Sequence, residues 1–179
     1  STPIKSSAAS DVYKRQPDEL ACKDLWMKAF GDDEQFADSF IMRYYSRRRM
    51  LTAEAEGRTA AMLHLLPFRT ELGRTTYIYG VATDPAFRGR GLASQLMREA
   101  MRLIADRGDD AAFLIPTPGK EWLREFYGRF GFAGDVPTEF VSADRFDFGT
   151  GDAAADRAMV WRRTPEGPLP EQLTASWHS

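Results

Sequence analysis

The feature that most constrains this chain is a change of hydrophobic period around residues 83–92. Tyr77 to Thr83 reads as an apolar strand, and Asp84 and Pro85 end it. Arg88-Gly89-Arg90-Gly91 follows, and from there Leu92, Leu96, Met97, Ala100, Met101 and Ile104 fall on one face of a helix over 91–107. A strand that passes through a glycine turn into an amphipathic helix needs a sheet for that helix to pack on. Glycines at a helix start let backbone N–H groups come close to a ligand. Those N–H groups have no acceptor within the helix. The helix dipole favours an anion there by about 0.3–1 kcal/mol, and Arg88 and Arg90 add cationic donors. Phosphate or pyrophosphate fits such a turn. The blander alternative is an exposed turn carrying two arginines for solubility. The order of strand, glycine turn and helix favours the ligand. Neither G-x-x-x-x-G-K-[ST] nor G-x-G-x-x-G is present.

The flanking segments extend the pattern. Asp18 is placed to cap a helix to Phe30, with Leu20, Leu25, Trp26 and Phe30 apolar and Gly31 as the stop. Asp33 starts a second helix carrying Phe36, Phe40, Ile41 and Tyr44. Strands at 51–56, 60–68 and 76–83, turned by Gly57 and Gly73, form an antiparallel meander. After the long helix come a short buried strand at Ala111, with Asp109 and Asp110 marking the turn before it, and a helix over 120–130 stopped by Gly131. Weaker strands follow at 132–141 and 159–163. The expected fold is mixed α/β (α+β): a mixed central sheet with an antiparallel N-terminal meander and helices on both faces. Residues 1–16 read as an unstructured lead that resembles translated adapter sequence, 17–163 as the folded domain, and 164–179, with Pro165, Pro168 and Pro170, as an irregular tail.

Composition limits the chemistry. One cysteine, Cys22, excludes a disulfide scaffold, and with only His64 and His178 beside it a structural metal site has too few ligands. No apolar run approaches the roughly 20 residues of a spanning helix, and no secretory signal is visible, so a cytoplasmic setting is expected. The net charge of −2 argues against a nucleic-acid-coating protein.

Arg88-x-x-Gly91-x-Ala93 after an apolar strand resembles the acetyl-CoA motif of the GNAT acetyltransferases, [QR]-x-x-G-x-[GA]. Glu125-Phe-Tyr-Gly-Arg-Phe-Gly-Phe132 resembles that family's second signature, F-Y-x-[KR]-x-G-F at a helix end. One helix and one strand separate the two, as in the family, and the likeness runs from Glu19 to Arg163. Within the family, the RGRGLA and FYGRFGF segments are most similar to the Eis-like aminoglycoside acetyltransferases, which carry further domains.

The resemblance implies the GNAT fold, with acetyl-CoA as co-substrate and no metal. Val81, Ala82 and Thr83 would offer main-chain groups to pantetheine, and the backbone around Gly89, Arg90, Gly91, Leu92 and Ala93 would take the pyrophosphate, with Arg88 beside it and a hydroxyl from Ser94. Tyr127 matches the tyrosine that protonates the departing thiolate, the alternative being a packed aromatic next to Phe126 and Phe130. Backbone N–H groups can stabilise the oxyanion of acyl transfer, and a placed acid helps the sulfur leave. Two positions depart from the family pattern. Lys120 stands where many relatives have asparagine, and Tyr77 where some have a glutamate base. Tyr77 and Tyr79 share a strand face with Val81 and Thr83 and would give an aromatic floor to the substrate site. The base stays open among water, Glu54, Glu56 and Glu71.

The implied activity is acetyl transfer to a small-molecule or peptide amine by direct attack; Cys22 lies far from the motif and gives no support to a thiol intermediate. The acceptor, the acyl length and a homodimer are all left open, and no membrane partner is expected. A non-catalytic acyl-CoA-binding module of the same fold is the rival reading. A second rival is nucleic-acid binding through the basic, aromatic stretch Arg43–Arg49, which reads more simply as a solvated helix end.

Overall fold

The computed structural model describes residues 4–6, 15–142 and 144–178. The chain divides into two units, residues 1–65 with 80–100, and residues 66–79 with 101–179. Two strands and one helix run through both: β3 (Arg58–Thr70), β4 (Gly73–Thr83) and α3 (Leu92–Arg107).

In the first unit, α1 (Arg15–Phe30) and α2 (Glu34–Arg43) precede the strands. The Asp33 side chain caps α2 by accepting from the Phe36 amide at 2.7 Å. The buried stripe of α1 is Cys22, Leu25 and Trp26, the i, i+3, i+4 spacing of a helix face. Trp26 stacks on Phe40 of α2 at 4.9 Å and donates its indole N–H to Asp32 at 2.8 Å. Leu20, expected on that face, is 62% exposed. The strands β1 (Ile4–Ser6) and β2 (Met50–Ala55) pair antiparallel, and β2 pairs antiparallel with β3 from Met50↔His64 to Ala55↔Arg58. The expected meander is present.

In the second unit, β4 lies beside β3 and pairs parallel with β5 (Ala111–Leu114), from Thr75↔Ala111 to Tyr77↔Phe113. The β5 strand pairs antiparallel with β7 (Arg157–Arg162), which pairs antiparallel with β6 (Ala133–Val141). Last in the chain, β8 (Leu173–Trp177) pairs parallel with β6 and antiparallel with β3 through Phe68↔Trp177, so the pairing closes on itself. Phe68 sits at the centre of the enclosed core, edge-on to Tyr77, Phe113, Phe140, Phe148 and Trp177 at 5.3–6.2 Å.

Three boundaries differ from the sequence reading. The lead 1–16 contains β1 and the first two residues of α1; residues 1–3 and 7–14 lie outside the described residues. The tail expected to be irregular carries β8. Its buried Leu173 and Ala175 alternate with half-exposed neighbours, a strand pattern hidden behind three prolines. The helix expected over 120–130 is α4, Trp122–Gly128. Its flanks tighten into i→i−3 bonds, Leu123 N–H to Lys120 O and Phe130 N–H to Tyr127 O among them, which shortens the α-helical span. Among the described residues, no helix is long and apolar enough to cross a membrane.

Candidate functional site

The glycine turn is built in the first unit from the end of β4 to the start of α3. Asp84 stops the strand and holds the corner. Its amide donates to Ala60 O at 2.8 Å, its carbonyl accepts from Phe87 N–H at 2.8 Å, and its carboxylate accepts from Ala86 N–H at 2.9 Å. A single 3₁₀ turn, Pro85–Phe87, follows and buries Phe87. The bond to the Ala86 amide holds the Asp84 carboxyl below the usual carboxylate range, and Lys28 at 3.6 Å helps.

Beyond Phe87 the chain is exposed through Gly91. Gly89 and Gly91 have φ of +80° and +75°, and a Cβ at either would meet nothing within 4 Å. Packing therefore does not demand glycine there; the left-handed backbone does. The first bond inside α3 is Gln95 N–H to Gly91 O at 3.1 Å, so the amides of Gly91, Leu92, Ala93 and Ser94 have no acceptor within the helix. Arg88 is extended and exposed. Arg90 lies over the Phe87 ring at 4.9 Å and reaches Glu56 at 3.3 Å, while Arg58 lies over the same ring at 4.7 Å. Arg90 is thus partly committed to bracing the turn, and Glu56, one of the candidate bases, is its partner.

The end of β4 is shaped by Gly80, whose φ is +64° in the middle of the strand. A Cβ there would meet Trp26 at 2.9 Å and His64 at 3.1 Å. This left-handed residue interrupts the strand's alternation; Val81, Ala82 and Thr83 follow it in the first unit. His64 is fully buried and accepts or donates to Cys22 Sγ at 3.6 Å through Nε2, with Nδ1 making no hydrogen bond among the described residues. Burial drives its pKa down to about 3 and that of Cys22 up to about 12, so both are neutral near pH 7.

The three tyrosines lie in the second unit. Tyr127 on α4 is 7% exposed, and burial raises its pKa to about 12. Its hydroxyl is therefore protonated throughout the working pH range. Tyr77 is 3% exposed, stacks on Phe113 at 4.5 Å and donates its hydroxyl to Phe148 O at 2.7 Å. Its pKa is raised well above the ordinary value, first by burial and then by Tyr79, Asp156, Asp147 and Tyr127. Tyr79 is half-buried, with its ring 5.2 Å from Tyr77.

The sequence-named residues thus fall into two groups. Val81–Thr83 and Arg88–Ser94 are brought together in the first unit; Tyr77, Tyr79 and Tyr127 are brought together in the second. Of the candidate bases, Glu71 accepts the Thr174 amide at 2.7 Å, at the start of β8. Lys120 is exposed just before α4. Arg47, in the stretch read as a solvated helix end, is buried instead. Among the described residues, no group of three or more His, Cys, Asp or Glu could hold a metal ion.

The same architecture occurs in solved proteins. A GNAT N-acetyltransferase (YhbS) from Escherichia coli, crystallised with CoA, superposes with a TM-score of 0.65 at 17% identity over 99% of this chain and 89% of that one. A GNAT acetyltransferase from Brucella melitensis, crystallised with acetyl-CoA, gives 0.64 at 16% identity over 100% of this chain and 97% of that one. Eis1 from Mycobacterium abscessus gives 0.56 at 17% identity over 74% of this chain and 31% of that one. No curated protein sequence matches the chain. A sequence model described as an acetyltransferase (GNAT) domain matches residues 14–134, more than half of the chain. With the two motifs and the mixed sheet, that match identifies the chain as a member of the GNAT acetyltransferase family.

Proposed function

We propose that this protein is an acetyl-CoA-dependent N-acetyltransferase that moves an acetyl group to a primary amine by direct attack. The observation that carries the reading is the pair of left-handed glycines, Gly89 and Gly91, opening α3 with unobstructed space around them. Such a turn aims the amides of Gly89 to Ser94 at an anion, and the pyrophosphate of a coenzyme is an anion of that size. Arg88, exposed beside the turn, adds charge, while Arg90 braces it against Glu56 and Phe87. Val81, Ala82 and Thr83 are the main-chain partners for pantetheine. That the relatives from E. coli and B. melitensis were crystallised with CoA and acetyl-CoA supports the assignment.

When bound, the coenzyme supplies an already activated thioester. The protein's part is to hold it, place the amine, and manage protons. Tyr127 holds a proton at Oη for the departing sulfur; a thiol's ordinary pKa of about 8.5 lies below that of the tyrosine, so the hydroxyl steadies the thiolate as a hydrogen-bond donor and the transfer is completed as the acylated nitrogen gives up its own proton. Tyr79 lines the acceptor side, and Tyr77 ties the segment at Phe148 to β4. Cys22, buried and held as a neutral thiol, is unsuited to carry the acetyl group, which favours direct transfer. A lone buried cysteine also suits a reducing, cytoplasmic setting.

Calorimetric titration with acetyl-CoA, followed by thiol release against a panel of amines, tests this reading. Saturable binding and amine-dependent release are expected. No binding at millimolar coenzyme overturns it, and binding without release to any amine turns the assignment to a non-catalytic acyl-CoA-binding module.

A further inference from the structure

Three arginines of the first unit gather where the glycine turn begins. Phe87, 1% exposed, stands directly before Arg88, and the guanidiniums of Arg58 and Arg90 lie over its ring at 4.7 and 4.9 Å. Arg88 and Arg90 belong to the turn itself. Arg58 does not: it is the first residue of β3, paired with Ala55 at the end of β2. Glu56 and Gly57 make the two-residue turn between them, with φ of +53° and +75°. Two left-handed residues match the twist of a hairpin, and the first position favours Asn, Asp or Gly. A glutamate held there is strained, and such strain collects where a side chain is needed. The Glu56 carboxylate meets Arg90 at 3.3 Å.

The hairpin thus brings one anion and one cation to the turn, and Arg90 takes the anion. Arg58 is exposed and, among the described residues, makes neither an ion pair nor a hydrogen bond. Its field reaches the Asp84 carboxylate, which already accepts the Ala86 amide at 2.9 Å and has Lys28 at 3.6 Å. Glu56 is the one carboxylate ion-paired to Arg58, Arg88 or Arg90 among the described residues. Cations gathered with so little compensation raise the local positive potential and draw a polyanion. The Phe87 ring holds the Arg58 guanidinium in place, so less freedom is lost when its donors meet a ligand.

Coenzyme A carries two kinds of phosphate. The pyrophosphate is bridged, and the amides opening α3 suit it. The other is a phosphomonoester on the ribose 3′ oxygen, with close to two negative charges at pH 7 and three acceptor oxygens. That group matches the planar fork of a guanidinium, which can give it two parallel hydrogen bonds. Amides engaged by the pyrophosphate are no longer free for it. Arg58 is the cation that a different strand adds beside them.

We propose that Arg58, stacked on Phe87 beside the glycine turn, holds the 3′-phosphate of the coenzyme and so makes the site select coenzyme A over its 3′-dephospho form. This rests on the coenzyme reading above and concerns a second phosphate, apart from the one the turn amides take.

The test is calorimetric titration of the full chain with coenzyme A and with 3′-dephospho-coenzyme A. Wild type should bind coenzyme A about tenfold or more tighter, the worth of a hydrogen-bonded charge pair. Arg58→Gln keeps a stem over Phe87 without the charge. It should bring coenzyme A affinity down to that of the dephospho form, while dephospho-coenzyme A affinity stays within about threefold of wild type. Salt raised from about 50 to 300 mM should weaken coenzyme A more steeply than the dephospho form in wild type, and both alike in Arg58→Gln. If Arg58→Gln does not fold, Arg58→Lys carries the test: a point charge in place of the fork should reduce the preference by about threefold or more. Equal wild-type affinity for the two forms overturns the proposal. So does a preference that survives undiminished in Arg58→Gln or Arg58→Lys, or an Arg58→Gln variant that loses both forms equally, which marks Arg58 as a brace for Phe87. Failure of the wild type to bind either form is a separate result and removes the coenzyme reading itself.

Discussion

Replacing Gly91 or Gly89 with alanine separates the backbone cost of the turn from its role toward a ligand. With φ at +75° and +80°, an alanine at either position must hold a left-handed backbone, at about 1–2 kcal/mol. No atom lies within 4 Å of the added Cβ, so no packing clash adds to that cost. For a chain of this size each kcal/mol lowers the melting temperature by roughly 2–4 °C, giving a drop of about 2–8 °C per variant. Coenzyme affinity should fall by more than this strain explains. The Cβ enters the space through which an anion reaches the turn amides, and losing one hydrogen bond to a charged group costs about 1.5–3 kcal/mol. That is a loss of roughly 10- to 150-fold in Kd. Gly31→Ala is the control: its φ is +63° and its Cβ would also meet nothing within 4 Å, but it ends α1 rather than opening α3. Thermal melts and calorimetry with acetyl-CoA on the three variants give the answer. Wild-type affinity in Gly89→Ala and Gly91→Ala, or an equal loss in Gly31→Ala, would refute the assignment of this turn to phosphate.

Three further outcomes are expected. Tyr127→Phe should leave coenzyme affinity unchanged and lower turnover by about 100-fold through loss of a general acid; with a pKa of about 12, wild-type Tyr127 should add no alkaline limb below about pH 10, and unchanged turnover across pH removes its acid role. His64, lowered to about 3 by burial, refuses a proton that the unfolded chain binds below its ordinary 6.5. Stability should therefore fall as pH drops through 6.5, by about 2 kcal/mol at pH 5, and His64→Leu should flatten the melting temperature over that range; an equally steep fall in the variant refutes the burial argument. Asp135, bonded to Arg157 at 2.9 Å and Arg124 at 2.8 Å, has its pKa lowered chiefly by the Arg157 hydrogen bond. Its contribution should be present above about pH 4 and vanish as acid protonates it. Because the pair is half-exposed, Asp135→Asn should cost less than about 1 kcal/mol and the difference should shrink in high salt.

Local chemistry made much of this protein legible in advance. The α2 cap at Asp33, the hairpin at Gly57 and the helix opened by Gly91 are set by neighbouring residues, and each stands where the pattern places it. The strand of the tail was readable only in part. Leu173, Thr174 and Ala175 alternate as a strand should, but a five-residue strand has no meaning without a partner, and its partners are β6 and the distant β3. Residues 4–6 are similar, since their strand exists only as a pairing with β2. The ends of α4 went astray because α- and 3₁₀-turns share one periodic signal.

The same division runs through the site. The order of apolar residues, glycines and arginines from Tyr77 to Ile104 determined a strand, a left-handed turn and a helix, because those depend on backbone sterics and on hydrogen bonds a few residues long. The F-Y-G-R-F-G-F segment likewise placed Tyr127 on a short helix. What only the tertiary structure decided is the state of the titratable groups. Tyr77 donates to Phe148, 71 residues away. Arg90 meets Glu56, 34 residues away. Asp156 is buried and binds the amide and hydroxyl of Thr150. Desolvation and charge pairing are set by which distant segments the sheet brings together, and no local pattern in the chain carries that information.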